Sequence, residues 1–251
     1  MITTNQLDKA YGDRQVLRDV SVAFPPAAVT SIIGPNGAGK STLLSILARL
    51  LSPDNGQALI DGTPVATMDT RALARRLSVL SQDNSTSTRL RVRDIVALGR
   101  YPHSRGHLSR EDQQIIHEAL VATSTIEFAD RFIDELSGGQ RQRVFLAMVI
   151  AQDTEYVLLD EPLNNLDITH TVHLMKLVGE FARKHGKTVL IVIHDINVAS
   201  AFSDYLVAMK DGKVVATGSP EEVMVPEILS DLYDVPVQVT ELNGNLHAYY
   251  F

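Results

Sequence analysis

Apolar residues in this chain gather in short unbroken runs, and each run stops at a polar or glycine-rich stretch. Val29–Ile33 is rich in β-branched residues and ends at Gly34. A glycine-rich loop follows, and then Leu43, Leu44, Leu47 and Leu51 recur at helical spacing, which predicts strand, loop and helix in succession. Residues 157–159 form a second run, leading into Asp160-Glu161-Pro162. Residues 189–193 form a third, leading into His194-Asp195. Continuously apolar strands that alternate with helices predict an α/β fold around a parallel sheet covered on both faces. The polar residues then sit just past the strand ends, on the edge where open α/β sheets bind ligands.

Residues 85–135 break this pattern. They carry helical periodicity over 93–98 and 110–123 and many charges, with no buried-strand run, and so predict a helical insertion. Residues 235–251 alternate apolar and polar positions around Asn243-Gly244, a hairpin signal in a small appended β element.

Composition narrows the classes. The 251 residues allow one or two domains with a sizeable core. The formal net charge of −7 argues against broad nucleic-acid contact, because phosphate backbones select basic surfaces. There is no cysteine, which excludes disulfides, zinc thiolates and cysteine nucleophiles. The opening Met1-Ile2-Thr3-Thr4-Asn5-Gln6 lacks a signal pattern, and the apolar runs are too short to span a bilayer. A cytosolic chain is expected, and any membrane role requires a partner that carries the spans.

Gly34-Pro35-Asn36-Gly37-Ala38-Gly39-Lys40-Ser41 fits G-x-x-x-x-G-K-[ST]. Its glycines let backbone N–H groups wrap around phosphates, and the helix that follows points its positive end at the same anion. Lys40 reaches the β- and γ-phosphates, the Ser41 hydroxyl can ligate Mg²⁺, and Thr42 offers a hydroxyl to the α-phosphate. The loop alone says that nucleotide is bound. Asp160 and Glu161 add the chemistry: the strand-end Asp160 holds Mg²⁺, and Glu161 can polarise a water for attack on the γ-phosphate. A water-activating Glu favours hydrolysis over transfer to a second substrate.

A second glycine-rich element, Leu136-Ser137-Gly138-Gly139-Gln140, precedes a helical pattern with Ser137 as its N-cap. It forms another anion site at a helix N-terminus, so one chain carries two phosphate-binding devices. With this string the chain resembles the ABC ATPase family. Residues 136–140 are that family's L-S-G-G-Q signature, residues 34–41 its phosphate loop and residues 157–162 its acidic strand end. Order and spacing agree from about residue 2 to residue 218.

The resemblance implies a P-loop NTPase (RecA-like) parallel-sheet core with an antiparallel β subdomain and a helical insertion subdomain. The ATPase domain would span 2–222, its helical part about 86–148, and a C-terminal extension 223–251. It further implies that Tyr11 stacks on adenine with Val16 beside it, and that the loop residues Gly34, Pro35, Asn36, Gly37, Ala38, Gly39, Lys40, Ser41 and Thr42 hold the phosphates. Gln82 would sense Mg²⁺ and the attacking water, Asp167 would communicate across a dimer, and His194 would contact the γ-phosphate. Ser137, Gly138, Gly139 and Gln140 of one subunit would face the γ-phosphate held by the other. Glu161, His194, Gln82 and Lys40 are thus the expected catalytic set, with ATP and Mg²⁺ as cofactors and Ser41, Gln82 and Asp160 as metal ligands. The implied partners are a second copy joined through an ATP sandwich, two membrane permease subunits contacted near Gln82 and the helical insertion, and indirectly an extracytoplasmic substrate-binding protein. No nucleic-acid partner is expected, and the implied location is the cytoplasmic face of the cell membrane.

Ala97-Leu98-Gly99-Arg100-Tyr101-Pro102-His103 resembles a segment of importer ATPases for iron–siderophore, haem and cobalamin complexes. The stretch Asp160-Glu161-Pro162-Leu163-Asn164-Asn165-Leu166-Asp167 also resembles the iron–siderophore branch, although many relatives have Thr where Leu163 stands. His170 and His173 share helical spacing but lack a third ligand, and are read as surface or dimer-contact residues. Two other classes were weighed against transport: a soluble ABC ATPase acting on ribosomes or DNA, and a non-catalytic nucleotide-gated module. The first usually carries two cassettes or a long coiled coil; the second would lack an acid or a signature residue.

Overall fold

The structure is a computed structural model that describes residues 1–82, 89–164 and 166–250. The expected start of the helical insertion at 86, together with Asn165 and Phe251, lies outside the described residues. In chain order the strands are β1 (Ile2–Tyr11), β2 (Arg14–Phe24), β3 (Val29–Ile33), β4 (Asn55–Ile60), β5 (Thr63–Pro64), β6 (Leu77–Leu80), β7 (Tyr156–Asp160), β8 (Thr188–Val192), β9 (Tyr205–Lys210), β10 (Lys213–Gly218), β11 (Val237–Leu242) and β12 (Asn245–Tyr250). The helices are α1 (Lys40–Leu47), α2 (Thr70–Arg76), α3 (Val92–Leu98), α4 (Tyr101–Ser104), α5 (Arg110–Ala122), α6 (Gly138–Ala151), α7 (Ile168–His185), α8 (Ile196–Phe202), α9 (Pro220–Val223) and α10 (Pro226–Tyr233). The chain forms two compact units: one of residues 1–68 and 178–251, the other of residues 69–177.

In the first unit β3 runs between β9 and β8 and parallel to both. Val29 pairs with Val189, and Ile33 pairs with Ala208. Every residue of β3 and β8 is buried, which is why both read as unbroken apolar runs. Hairpin partner β10 closes the edge beyond β9. A separate antiparallel sheet in the order β2-β1-β4-β5 belongs to the same unit. The tail forms the expected hairpin, β11 against β12 in register from Val237–Tyr250 to Leu242–Asn245. Its two-residue turn holds Asn243 at φ 54° and Gly244 at φ 80°, the left-handed pair that a tight type I′ turn demands.

The second unit pairs β6 with β7 in parallel. Its helices α3, α5 and α6 enclose an apolar cluster around Val96, Ile116, Leu120, Val144 and Ala147. Gly99 lets α3 approach α6: a Cβ there would lie 2.2 Å from the Met148 carbonyl oxygen. Arg100 is buried. It donates from Nε to Asp112 Oδ1 at 2.8 Å and from Nη1 to the Ala151 carbonyl at 2.9 Å. No helix among the described residues is long and apolar enough to cross a membrane.

Candidate functional site

The first unit carries the phosphate loop. Buried β3 delivers the chain to Gly34, and residues 34–39 turn it into α1. Positive φ at Gly34 (139°), Gly37 (80°) and Gly39 (98°) is backbone that a side chain resists. Space forbids one as well. A Cβ on Gly34 would lie 2.0 Å from the Met209 carbonyl oxygen, and one on Gly39 would lie 2.7 Å from Leu17 Cδ2. Gly39 caps α1 without a side-chain hydrogen bond, and no acidic residue occupies the first turn. The positive end of the α1 dipole thus faces the loop with no carboxylate of its own first turn to offset it. Lys40 is buried and donates to the Gly34 and Pro35 carbonyls at 2.8 and 2.9 Å, folded back along the loop it serves. Pro35, Ser41 and Thr42 are half-buried, Asn36 and Gly37 exposed, and Ala38 buried.

A cleft opens beside Gly37, lined by Arg14, Gln15, Val16 and Gly212 among others. Val16 is half-buried there. Tyr11 is exposed at the end of β1, where it pairs with Arg14 of this lining, and the Lys9 ammonium lies 6.0 Å from its ring centre. His194 is exposed just past β8. Asp195 follows it as N-cap of α8, its carboxylate accepting from Asn197 N at 2.9 Å and Val198 N at 3.1 Å.

The second unit gathers the acids. Asp160 ends β7 and is buried, while Glu161 is half-buried with φ 50°, a left-handed conformation that a non-glycine residue adopts only at a cost. Two amides converge on one Glu161 oxygen: Gln82 Nε2 donates to Oε2 at 2.9 Å and Asn164 Nδ2 at 2.7 Å. They fix the plane of the carboxylate. Asn164 was absent from the expected set, although it stands in the stretch singled out for its branch resemblance. Its signal was position, three residues past the acid on a turn.

The signature element is a helix start. Ser137 Oγ accepts from Gln140 N at 3.3 Å, and Gln140 Oε1 accepts from Ser137 N at 2.9 Å, a reciprocal capping box on α6. Ser137 and Gly138 are exposed, and Gly139 and Gln140 half-buried. Asp167 is exposed, accepts from His170 N at 2.8 Å, and stands beside Ile168, which is 84% exposed. His173 Nε2 lies 3.2 Å from the Ala122 carbonyl, and the described residues hold no His–Asp–Glu group able to bind a metal ion.

A family model described as ABC transporter matches residues 17–164, more than half of the chain. The chain belongs to the ABC transporter family. It is 46% identical to the petrobactin import ATP-binding protein YclP of Bacillus subtilis (strain 168), over all of both chains. It is 40% identical to the ferric enterobactin transport ATP-binding protein FepC of Escherichia coli (strain K12), over 94% of this chain and 88% of that one. Among solved structures, a dimeric post-hydrolysis state of an ATP-binding cassette bound to ADP and Pi superposes with TM-score 0.80 at 30% identity, covering 88% of this chain and 99% of that one.

As an ABC transporter cassette the chain binds ATP with Mg²⁺ and hydrolyses it. The residues present fit both. Close-packed glycines keep the backbone of the loop bare of side chains at Gly34 and Gly39, and a buried Lys40 supplies positive charge beside it. The Ser41 hydroxyl and the buried Asp160 carboxylate are hard oxygen donors of the kind Mg²⁺ selects.

Proposed function

We propose that this chain hydrolyses ATP to energise import of an iron–siderophore complex, as a peripheral subunit on the cytoplasmic face of the cell membrane. The cargo rests on full-length likeness to proteins named for petrobactin and ferric enterobactin transport. Haem, cobalamin or another metal chelate is the second reading, and the Ala97–His103 resemblance is what keeps it in view.

One observation carries the hydrolytic role: Glu161, at the end of β7, is held by Gln82 and Asn164. Glu161 takes the proton of the attacking water, while His194 and Gln82 orient that water against the γ-phosphate. Lys40 and the amides of Gly34, Pro35, Asn36, Gly37, Ala38 and Gly39 hold the phosphates; Thr42 meets the α-phosphate, and Tyr11 and Val16 take the adenine. Ser41, Asp160 and Gln82 would hold Mg²⁺, which when bound would neutralise phosphate charge. Two copies close head to tail, so that Ser137, Gly138, Gly139 and Gln140 of one complete the site of the other and Asp167 lies between them. The exposed helix start at Ser137 and the exposed Ile168 beside Asp167 support that face as the contact. Permease subunits dock near Gln82 and the helical insertion. The ATPase domain is residues 2–222, with its helical part at about 86–148, and the extension 223–251 is taken up below.

The test is uptake of radiolabelled ferric siderophore in cells lacking this chain. Wild-type chain restores uptake and Glu161→Gln does not. Restoration of haem or cobalamin uptake alone would transfer the function to the second reading.

A further inference from the structure

The C-terminal extension is packed against the nucleotide-binding unit. Leu229 and Leu232 of α10, Val237 of β11 and Ala248 of β12 are all buried. Lys210, at the end of β9, donates to Asp234 Oδ1 at 2.7 Å and to the Asp231 carbonyl, which latches the end of α10 to the strand whose Met209 carbonyl backs Gly34.

One contact leads from this extension to the site, through Asn197. Its Nδ2 donates to the Ala248 carbonyl at 3.1 Å, and its Oδ1 accepts from Ala248 N at 2.7 Å. A primary amide offers the same donor–acceptor pair as a peptide unit, so α8 joins β12 much as a neighbouring strand would. Helix α8 has only seven residues, too few to hold itself together in water, and draws its order from packing. Its N-cap is Asp195, and His194 is the residue before that. His194 is thus bounded by β8 on one side, where Ile193 N donates to the Ile32 carbonyl at 3.3 Å, and on the other by a helix start that β12 steadies.

We propose that the hairpin of residues 237–250 is a working part of the nucleotide site, with Asn197 a positioning residue for His194. The Asn197 amide is spent on Ala248 and does not act on the reacting atoms. Asn197 fixes where His194 leaves the sheet, and its loss lowers turnover without weakening ATP binding. This inference rests on the proposed role of His194.

The experiment is steady-state ATP hydrolysis by the full-length chain, with kcat and KM resolved and thermal unfolding recorded for each variant. Asn197→Leu keeps the volume and removes both hydrogen bonds. It is expected to lower kcat at least about fivefold with KM for ATP within about twofold of wild type. His194→Ala is the reference. If it abolishes hydrolysis while a cooperatively folded Asn197→Leu keeps wild-type kcat, the positioning role is overturned and the site reading stands. If His194→Ala keeps near-normal hydrolysis, both fall.

Discussion

Asn164 Nδ2 lies 2.7 Å from Glu161 Oε2, the same oxygen that accepts from Gln82. An anionic acceptor makes these stronger than neutral hydrogen bonds, and two of them on one atom leave the carboxylate little freedom to rotate. Asn164→Ala should therefore lower kcat about fivefold with KM for ATP unchanged, because ground-state binding does not use the contact. Asn164→Ala and Gln82→Ala should combine to more than the product of their separate effects, since in each single variant the remaining amide still partly holds the oxygen and in the double variant neither does. A double-mutant cycle on kcat checks both statements.

Glu161→Gln should retain ATP binding, lose hydrolysis by at least about a hundredfold and leave a trapped dimer, because it keeps the shape and removes the base. Size-exclusion chromatography in ATP together with phosphate release reads both outcomes. Near-normal turnover would remove Glu161 from its role.

Ser137 caps α6, and in the proposed dimer it also faces a phosphate in trans; a single substitution separates the two. Ser137→Asp keeps an acceptor for the Gln140 amide and should unfold at a temperature close to wild type. It also places a negative charge where the proposed dimer brings the γ-phosphate of the second copy, so hydrolysis should fall at least about tenfold. Ser137→Ala is the converse, costing about 1 kcal/mol of stability through the lost cap.

Gly34→Ala should destabilise the chain by about 1–3 kcal/mol, because the new Cβ would press on the Met209 carbonyl oxygen. Gly62 also has positive φ, 77°, but open space around it. Gly62→Ala should cost only the conformational share, about 1 kcal/mol. Paired urea denaturation curves measure the difference.

The Arg100–Asp112 pair is buried, and hydrogen bonds from Ser109 and from Arg100 hold the Asp112 carboxyl down at about 2. A depressed carboxyl contributes stability that is present above its unfolded value, about 3.9, and is lost as pH falls through 4 toward 2. Asp112→Asn should flatten the acid limb of the stability curve over that window. Arg100→Met should cost about 3 kcal/mol by leaving Asp112 buried without its cation.

The parts of this fold that were legible in the sequence are those whose cause is local. Val29–Ile33 reads as a strand because all five residues are buried, and α5 reads as a helix because Ser109 and Asp112 close a capping box at its start. Strand β9 escaped notice: its buried core, Leu206 to Met209, is four residues long and includes Ala and Met, weak strand formers. In β1 and β2 polar residues and register shifts break the alternation that would have marked them. Arg100 entered the sequence reading only as part of the Ala97–His103 string, and only the packed helices show it facing Asp112. Contacts of long sequence separation left no trace: nothing near Gly34 announces the Met209 carbonyl behind it, and nothing near Asn197 announces Ala248.

The strand order around β3 also sets when the phosphate loop can exist during synthesis. Residues 34–41 leave the ribosome early, yet their flanking strands β8 and β9 and the Met209 carbonyl behind Gly34 are made some 150 residues later. Until then the loop is a glycine-rich segment hanging from an unpaired strand. A nascent or prematurely terminated chain lacking β8 and β9 thus carries the loop without the strands that hold it, and competence for ATP should arrive only once residue 210 has been made.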